Sequence, residues 1–518
     1  MSAVRRPVCV VLDGPPTPAW QARALELLRE SSSLHVRAVT LIEAPPRRAI
    51  ARRHAAYERR LLRLGRDPLQ TQSVAPLSAG EAGGSDQLLI WLSERPPDDH
   101  EDRALLQLRH ARRSEPAERA VRRATLGGES SIESEVVLRG ADGRTTLVEQ
   151  TVSELRRFSV TLSLDLMLWK LAALVPRAAA RAPGLDRPAP PAEPASSAPS
   201  TAALLASSAL AWPRILGVHA LFRRPWSIRV RRREPRADAG WPTRHELVRW
   251  ARGHLYADPF LFEHEGRHHL FCEEVPPGQQ RAFISHTELS RDGSPARAPQ
   301  PVLVRPYHLS YPFVVAHRGE LLMIPETSAV KRVELYRAVD FPTSWERDAV
   351  LLEGVEAADA TLLAHDGRLW MFAAIAAENA SSLDELHVFW ADSPRGPWQA
   401  HPLNPVVSDA RCARPAGAVL RCGERLVRPG QDCSRRYGGS ISFREIDVLS
   451  TERYAEHEIA RLDAADVAHA RATHTYTADA SFEAIDFRHR ELRLALAARS
   501  LRGALRGHRS RAAEEAGR

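Results

Sequence analysis

The stretch "YADPFLFEHEGRHHLFCEEV", Tyr256 to Val275, decides how the chain is read. Its Glu265-Gly266 pair separates two runs, Asp258 to Glu263 and His268 to Glu273, and glycine supplies the positive φ that a tight hairpin turn requires. Read as a hairpin, the stretch carries acid at both ends, with Asp258 facing Glu273. Directly opposed side chains on paired strands have Cβ atoms roughly 5 Å apart, and two carboxylates that close push one pKa upward. General acid and base work needs such a shift. For one hairpin alone, two solvated carboxylates at a surface are the plainer reading.

The hairpin recurs. "YPFVVAHRGELLMIPETS" (Tyr311 to Ser328), "DATLLAHDGRLWMFAA" (Asp359 to Ala374) and "PAGAVLRCGERLVRPGQD" (Pro415 to Asp432) repeat it, each with a glycine eight residues after its first residue. By subtraction, Gly266, Gly319, Gly367 and Gly423 are 53, 48 and 56 residues apart. Such periods, with two further short strands per unit, indicate the blades of a β-propeller. Outer strands are expected at Arg281 to Leu289, Arg332 to Val339, Glu385 to Ser393 and Ile441 to Leu449. A fifth unit begins near His474 without its turn glycine, and Pro225 to Arg233 is the candidate strand to close the ring, giving five blades.

Repeat position also selects candidate acids. Glu273 and Glu326 each follow their turn glycine by seven residues, at the end of the returning strand, whereas Ala374 and Gly430 hold that place in units three and four. A structural requirement would recur in every blade; acid in only two points to a site on one side of the central funnel. Glu274, Arg428, Gln431, Asp432, Tyr437 and His474 are the further candidates for holding a ligand, because polar groups where strands are expected need partners, water or ligand. Arg428 suits bidentate binding of phosphate or carboxylate on an anionic donor or lipid head group, or else forms an ion pair. Trp370 and Trp390 alternate with apolar neighbours as blade core does.

The chain of 518 residues has room for more than one core. "RAPGLDRPAPPAEPASSAPSTAALLASS", Arg181 to Ser208, is too rich in Pro, Ala and Ser to pack and reads as a linker. The expected division is an α/β domain over 1–180, a linker over 181–212, an all-β propeller over 213–490 and a basic tail over 491–518. In the first domain, strands at Val8 to Leu12 and His35 to Leu41 flank a helix starting near Pro18 with Thr17 as N-cap. A strand at Gln87 to Leu92 and a hairpin at Glu135 to Gln150 complete a Rossmann-like outline.

The net charge of +8 comes almost wholly from dispersed arginines, with no aromatic-interleaved basic stripe, so nucleic acid is not an expected partner. Five cysteines without CxxC spacing indicate neither a disulfide framework nor a zinc site, and the absence of GxGxxG removes the dinucleotide signature, so no metal or cofactor is expected. The apolar stretch Val160 to Val175 contains Asp165 and Lys170 and is shorter than the ~20 residues that span a bilayer, so peripheral contact is the most membrane association expected of it. A cytoplasmic location is expected.

Taken together, the four quoted units with "RPGQDCSRRYGGSISFREIDVL" and "HTYTADASFEAIDF" resemble the propeller domain at the N-terminus of glucosamine inositolphosphorylceramide transferases, and are similar to the five-bladed propellers of glycoside hydrolase family 43. The first domain resembles a formyltransferase-like Rossmann domain in outline, but lacks that superfamily's His-x-Ser-Leu-Leu-Pro run. The resemblance implies a glycan or glycoconjugate as substrate. It also implies an Asp as base, a second Asp that tunes pKa and orients the sugar, and a Glu as acid. Asp258 and Asp359 match the two Asp places by repeat position, and Glu273 or Glu326 supplies the Glu. Three functions stay open: an enzyme acting on glycosidic bonds, a non-catalytic glycan-binding module serving a separate glycosyltransferase, and a formyl- or acyl-transferase acting on an amino sugar.

Overall fold

A computed structural model describes residues 5–44, 49–77, 87–95, 97, 103–182, 187–194, 221–233, 246–247, 253–467 and 469–492. Much of the expected linker and nearly all of the basic tail lie outside these residues.

Five four-stranded antiparallel sheets form the propeller. Blade one runs Leu255–His264, Arg267–Val275, Phe283–Leu289, Gln300–Leu303. Blades two, three and four repeat this order from Ser310, Ala357 and Leu420. In blade five, Tyr476–Ala478 and Phe482–Arg488 are completed by Trp226–Arg232, which pairs antiparallel with Phe482–Arg488. The ring is therefore closed by a strand from before blade one, as the sequence suggests.

The hairpin turns follow from backbone chemistry. His264 pairs with Arg267 across a two-residue loop in which Glu265 and Gly266 both have positive φ, 49° and 72°. This is the turn whose twist matches paired strands. Blade five manages without the glycine: the Asp479 carboxylate accepts the amides of Ser481 (2.8 Å) and Phe482 (2.7 Å), closing the turn through a side chain. Apolar residues pack between adjacent sheets, Phe271, Met323 and Met371 in one cluster and Trp370, Phe372 and Leu426 in another. Trp370 is thus core, as its alternation implies.

The N-terminal domain is a six-stranded mixed sheet in the order Leu34–Ile42, Arg6–Asp13, Leu88–Trp91, Leu105–His110, Ser131–Arg139, Thr145–Glu154. Its first four strands are parallel and the last two antiparallel. The helix Ala19–Glu30 has Pro18 rather than Thr17 at its N-cap, with no side-chain cap bond, so the expected Thr17 cap is corrected.

The apolar stretch expected to touch a membrane at most peripherally lies within the helix Val160–Arg181, most of whose residues are buried. Its charges explain its place. Asp165 pairs with Arg59, and Lys170, fully buried, pairs with Asp384 of the propeller at 2.9 Å. Most of the stretch therefore packs against protein. No helix among the described residues is long and apolar enough to cross a membrane. The two domains are further joined by Arg177 to Glu385 (2.9 Å) and by a backbone bridge: Val152 N–H donates to Ser408 O and Val152 O accepts from Ala410 N–H, both at 3.0 Å.

Candidate functional site

The propeller's first inner strands share an irregularity that builds the funnel. Asp258, Tyr311 and Asp359 stand at the same place in blades one to three, each in a bulge and each left-handed, with φ of 49°, 47° and 57°. A bulge re-aims the side chain it carries. Ala257, not Asp258, consequently opposes Glu273, so the expected cross-strand pairing of the two acids is corrected. The re-aimed groups stitch the channel together. The Asp258 amide donates to Asp486 Oδ2 (3.1 Å), and Asp258 Oδ2 accepts the Tyr311 amide (3.1 Å). The Tyr311 hydroxyl meets Thr361 Oγ1 and accepts the Gly417 amide, both at 2.8 Å. All five blades are engaged.

Above this belt lies a cavity of about 230 Å³ lined by Trp226, Asp258, Glu273, His308, Glu326, Arg414, Tyr437 and His474 among others. It is smaller than the roughly 300 Å³ at which pockets for drug-sized ligands begin, and suits one monosaccharide-sized unit. Larger cavities lie in the N-terminal domain and at the domain junction, and the former is also lined by carboxylates and arginines, but the funnel cavity is the one that holds the acids selected by repeat position.

Four of the candidate residues line the cavity together with Tyr437 and His474 or stand directly behind it. Glu273 pairs with His308 at 3.3 Å. Glu326 accepts the Ser328 hydroxyl (2.6 Å) and pairs with Arg414 (3.2 Å). Asp359 sits behind the wall, gripped by Arg414 Nε (2.6 Å) and by the Gln431 amide nitrogen (2.9 Å). His474 Nδ1 lies 2.5 Å from Asp486 Oδ2 and 3.7 Å from Asp258, with its ring stacked on Trp226 at 4.1 Å. Tyr437 packs edge-on against His474 and under the Arg414 guanidinium.

Three other candidates do not reach the cavity. Glu274 alternates to the opposite face of its strand, where His254, Tyr256 and Ser285 saturate it. Arg428 is fully buried with Glu456 (2.6 and 2.8 Å) and the Cys412 carbonyl, so it forms the ion pair of a blade core and no anion site. Asp432 accepts Ser434 and Arg461 away from the funnel. Sequence reading misses Arg414, His308, Trp226 and Asp486. Arg414 immediately precedes the fourth repeat, a place held by Ala257, Ser310 and Ala358 in the first three, and that change from small to cationic is the signal that could have found it.

Burial, opposed by His474 and reinforced by Glu273, raises Asp258 to about 7. Burial would raise Glu326 too, but Arg414 and hydrogen bonds hold it below its ordinary value. Burial and the charge of Glu326 push Asp359 upward against the pull of Arg414. Burial disfavours the charged form of His474, yet Asp486 and Asp258 lift it to about 9. The hydrogen bond to Glu273 raises His308.

Asp258, His474 and Asp486 have potential ligand atoms within 4.8 Å of one another. Asp486 is already committed to the amides of His474 and Thr475 (2.9 and 3.1 Å). The trio is satisfied as an ion cluster.

Residues 249–479 match the family described as glucosamine inositolphosphorylceramide transferase 1, N-terminal. The glucosamine inositolphosphorylceramide transferase 1 of Arabidopsis thaliana is 31% identical over 229 residues, 42% of this chain and 30% of the relative. That of Oryza sativa subsp. japonica is 31% identical over 228 residues, with the same coverage. The match spans less than a third of these relatives. Among solved structures, a family 117 glycoside hydrolase of Zobellia galactanivorans is 11% identical, with 51% of this chain and 90% of that one covered at a TM-score of 0.34. The catalytic domain of the Coprinopsis cinerea GH62 α-L-arabinofuranosidase is 12% identical, with 49% and 82% covered at 0.33. At such scores these two likenesses bear no functional weight. The resemblance read from the propeller motifs is thus borne out over residues 249–479: this part of the chain is similar to the N-terminal region of the glucosamine inositolphosphorylceramide transferases.

Proposed function

We propose that the propeller acts on the glycosidic bond of a glycan or glycoconjugate whose terminal sugar enters the funnel cavity. The carrying observation is that two acids with opposite shifts line one sugar-sized cavity: Asp258, raised to about 7, and Glu326, held low. Separated pKa values are how paired carboxylates divide acid, base and electrostatic roles. In this reading Asp258, which keeps its proton up to about pH 7, is the general acid that protonates the leaving oxygen. Glu326 stays ionised against positive charge developing on the sugar ring. Asp359 orients Glu326 through their shared Arg414, and Glu273 with His308 contacts the sugar hydroxyls. The relatives carry the name glucosamine inositolphosphorylceramide transferase 1, which supports a glycoconjugate over a plain polysaccharide.

The test is time-resolved NMR of the whole chain with amino sugars, nucleotide sugars and glycolipid head groups, run beside Asp258→Asn. A new anomeric signal from the wild type, lost by about 10² to 10⁴-fold in the variant, supports the assignment. Turnover unchanged by the substitution would remove Asp258 from the chemistry.

A second reading, a glycan-binding module serving a separate glycosyltransferase, is favoured by one observation. Both carboxylate oxygens of Asp258 are already engaged, one by the Thr475 hydroxyl at 2.6 Å and the other by the Tyr311 amide. Saturation transfer from a sugar with no product in either protein would select it. Formyl or acyl transfer finds no support in the described side chains.

A further inference from the structure

Beside the funnel cavity the chain gathers six arginines: Arg224, Arg435, Arg436, Arg471, Arg488 and Arg490. Three of the four segments that supply them also supply a wall of the cavity, in Trp226, Tyr437 and His474. The segments are laced to one another. Arg436 Nη1 donates to the Arg471 carbonyl and Arg488 Nε to the Arg224 carbonyl, both at 3.2 Å. The Arg471 amide donates to the Arg488 carbonyl at 2.7 Å, and the Thr473 amide to the Gly438 carbonyl at 2.9 Å. The Arg488 guanidinium lies 5.7 Å from the centre of the Trp226 ring, so the cluster adjoins the cavity wall.

Among the described residues none of these six arginines forms an ion pair with a carboxylate, unlike arginines elsewhere in the molecule. Arg59, Arg109, Arg414 and Arg428 each face a carboxylate. Burial and then the charges of Arg224, Arg471, Arg435 and Arg490 depress Arg436, while burial, Arg224 and Arg436 depress Arg488 against an opposing pull from the Tyr437 phenol; no carboxylate opposes either shift. Arg224 Nε is buried without a hydrogen-bond partner. Like charges held together in this way are relieved by an anion, and guanidinium forks bind phosphate bidentately.

We propose that this arginine rim binds a phosphate group carried by the ligand whose sugar enters the funnel. The inference rests on the proposed carbohydrate function and narrows its substrate to a phosphorylated sugar or a phosphate-linked glycoconjugate. Tyr437, Trp226 and His474 then lie between the sugar and its phosphate, so one ligand spans cavity and rim.

The experiment is calorimetric titration of the full chain with glucosamine, glucosamine 6-phosphate, myo-inositol and myo-inositol 1-phosphate near 0.15 M salt. Co-sedimentation with phosphatidylcholine vesicles, with and without phosphatidylinositol, accompanies it. The wild type is set beside R436Q/R471Q/R490Q and beside R318Q, which removes an exposed arginine in the turn of blade two. The phosphorylated member of at least one pair should bind tenfold or more tightly than its parent in the wild type and in R318Q. The triple variant should lose that advantage while keeping its affinity for the parent sugar.

Rim-dependent retention on phosphatidylinositol vesicles would identify a lipid-borne phosphate, and rim-dependent binding of soluble phosphates alone a free sugar phosphate. Equal affinity for sugar and phosphosugar, or a preference that survives the triple substitution, overturns the inference and leaves the glycan reading intact. Rim-dependent phosphate binding without any sugar recognition would keep the rim and remove the glycan reading.

Discussion

Blades one and two close their inner hairpins with Glu273 and Glu326, whereas blades three and four close theirs with Ala374 and Gly430. The difference is steric as well as chemical. A Cβ on Gly430 would stand 2.3 Å from the Cys412 carbonyl, because the segment that carries Arg414 passes directly over it. Blade four thus gives up an acid to make room for a cation, and that cation reaches Asp359 of blade three and Glu326 of blade two. One side of the funnel supplies carboxylates and the other supplies the charge that holds them apart in pKa. The same strand pattern yields two functions because what crosses above it differs.

The largest expected effect comes from breaking the acid side. Glu326→Gln should lower turnover by about 10² to 10⁴-fold, and Glu273→Gln, whose partner His308 is half-exposed, by less. Steady-state kinetics on the substrate found by NMR checks the order, and equal losses would deny the two acids distinct roles.

Next is the cation. Arg414→Met leaves Asp359 buried without its cation, beside Gln431 and the carboxyl of Glu326, and should cost about 3 to 5 kcal/mol in urea unfolding. A double variant with Asp359→Asn should recover part of the loss. Gly430→Ala sharpens the steric half of the comparison: overpacking against a carbonyl should cost about 1 to 3 kcal/mol, and a neutral result would show that the segment above blade four yields easily.

The smallest effect is in pH dependence. His474 is raised in the folded state, so its contribution is fully present below 6.5 and is lost as pH rises toward about 9. Asp258 is an acid that is also raised, so the folded protein holds its proton longer, and that contribution fades as pH rises from 3.8 through about 7. The share of the unfolding free energy that these two groups carry should therefore decline between about pH 5 and pH 9, read as the difference between wild type and variant in denaturant titrations at a series of pH values. His474→Gln should flatten the upper half of that slope.

How far the sequence reaches can be judged residue by residue. The repeat spacing locates the inner hairpins, their two-residue turns and the closing strand from before blade one, because each is fixed by local periodicity and turn chemistry. Glu273 and Glu326 are legible by repeat position alone. Asp258 lines the cavity but not opposite Glu273, since a bulge shifts it off the cross-strand position and only backbone dihedrals reveal that. Arg428 and Arg414 are the clearest lesson. Both are buried arginines near blade four, and only the fold shows that Arg428 faces Glu456 in a core while Arg414 faces the funnel.

By itself the sequence determined the propeller, its blade count and the family its motifs resemble, since turn glycines, alternation and motif order are properties of short segments. Tertiary structure decided which polar residues meet. Arg414, His474 and Asp258 come from three blades, and the six rim arginines from four segments, so their distances depend on closing the ring and not on any local pattern.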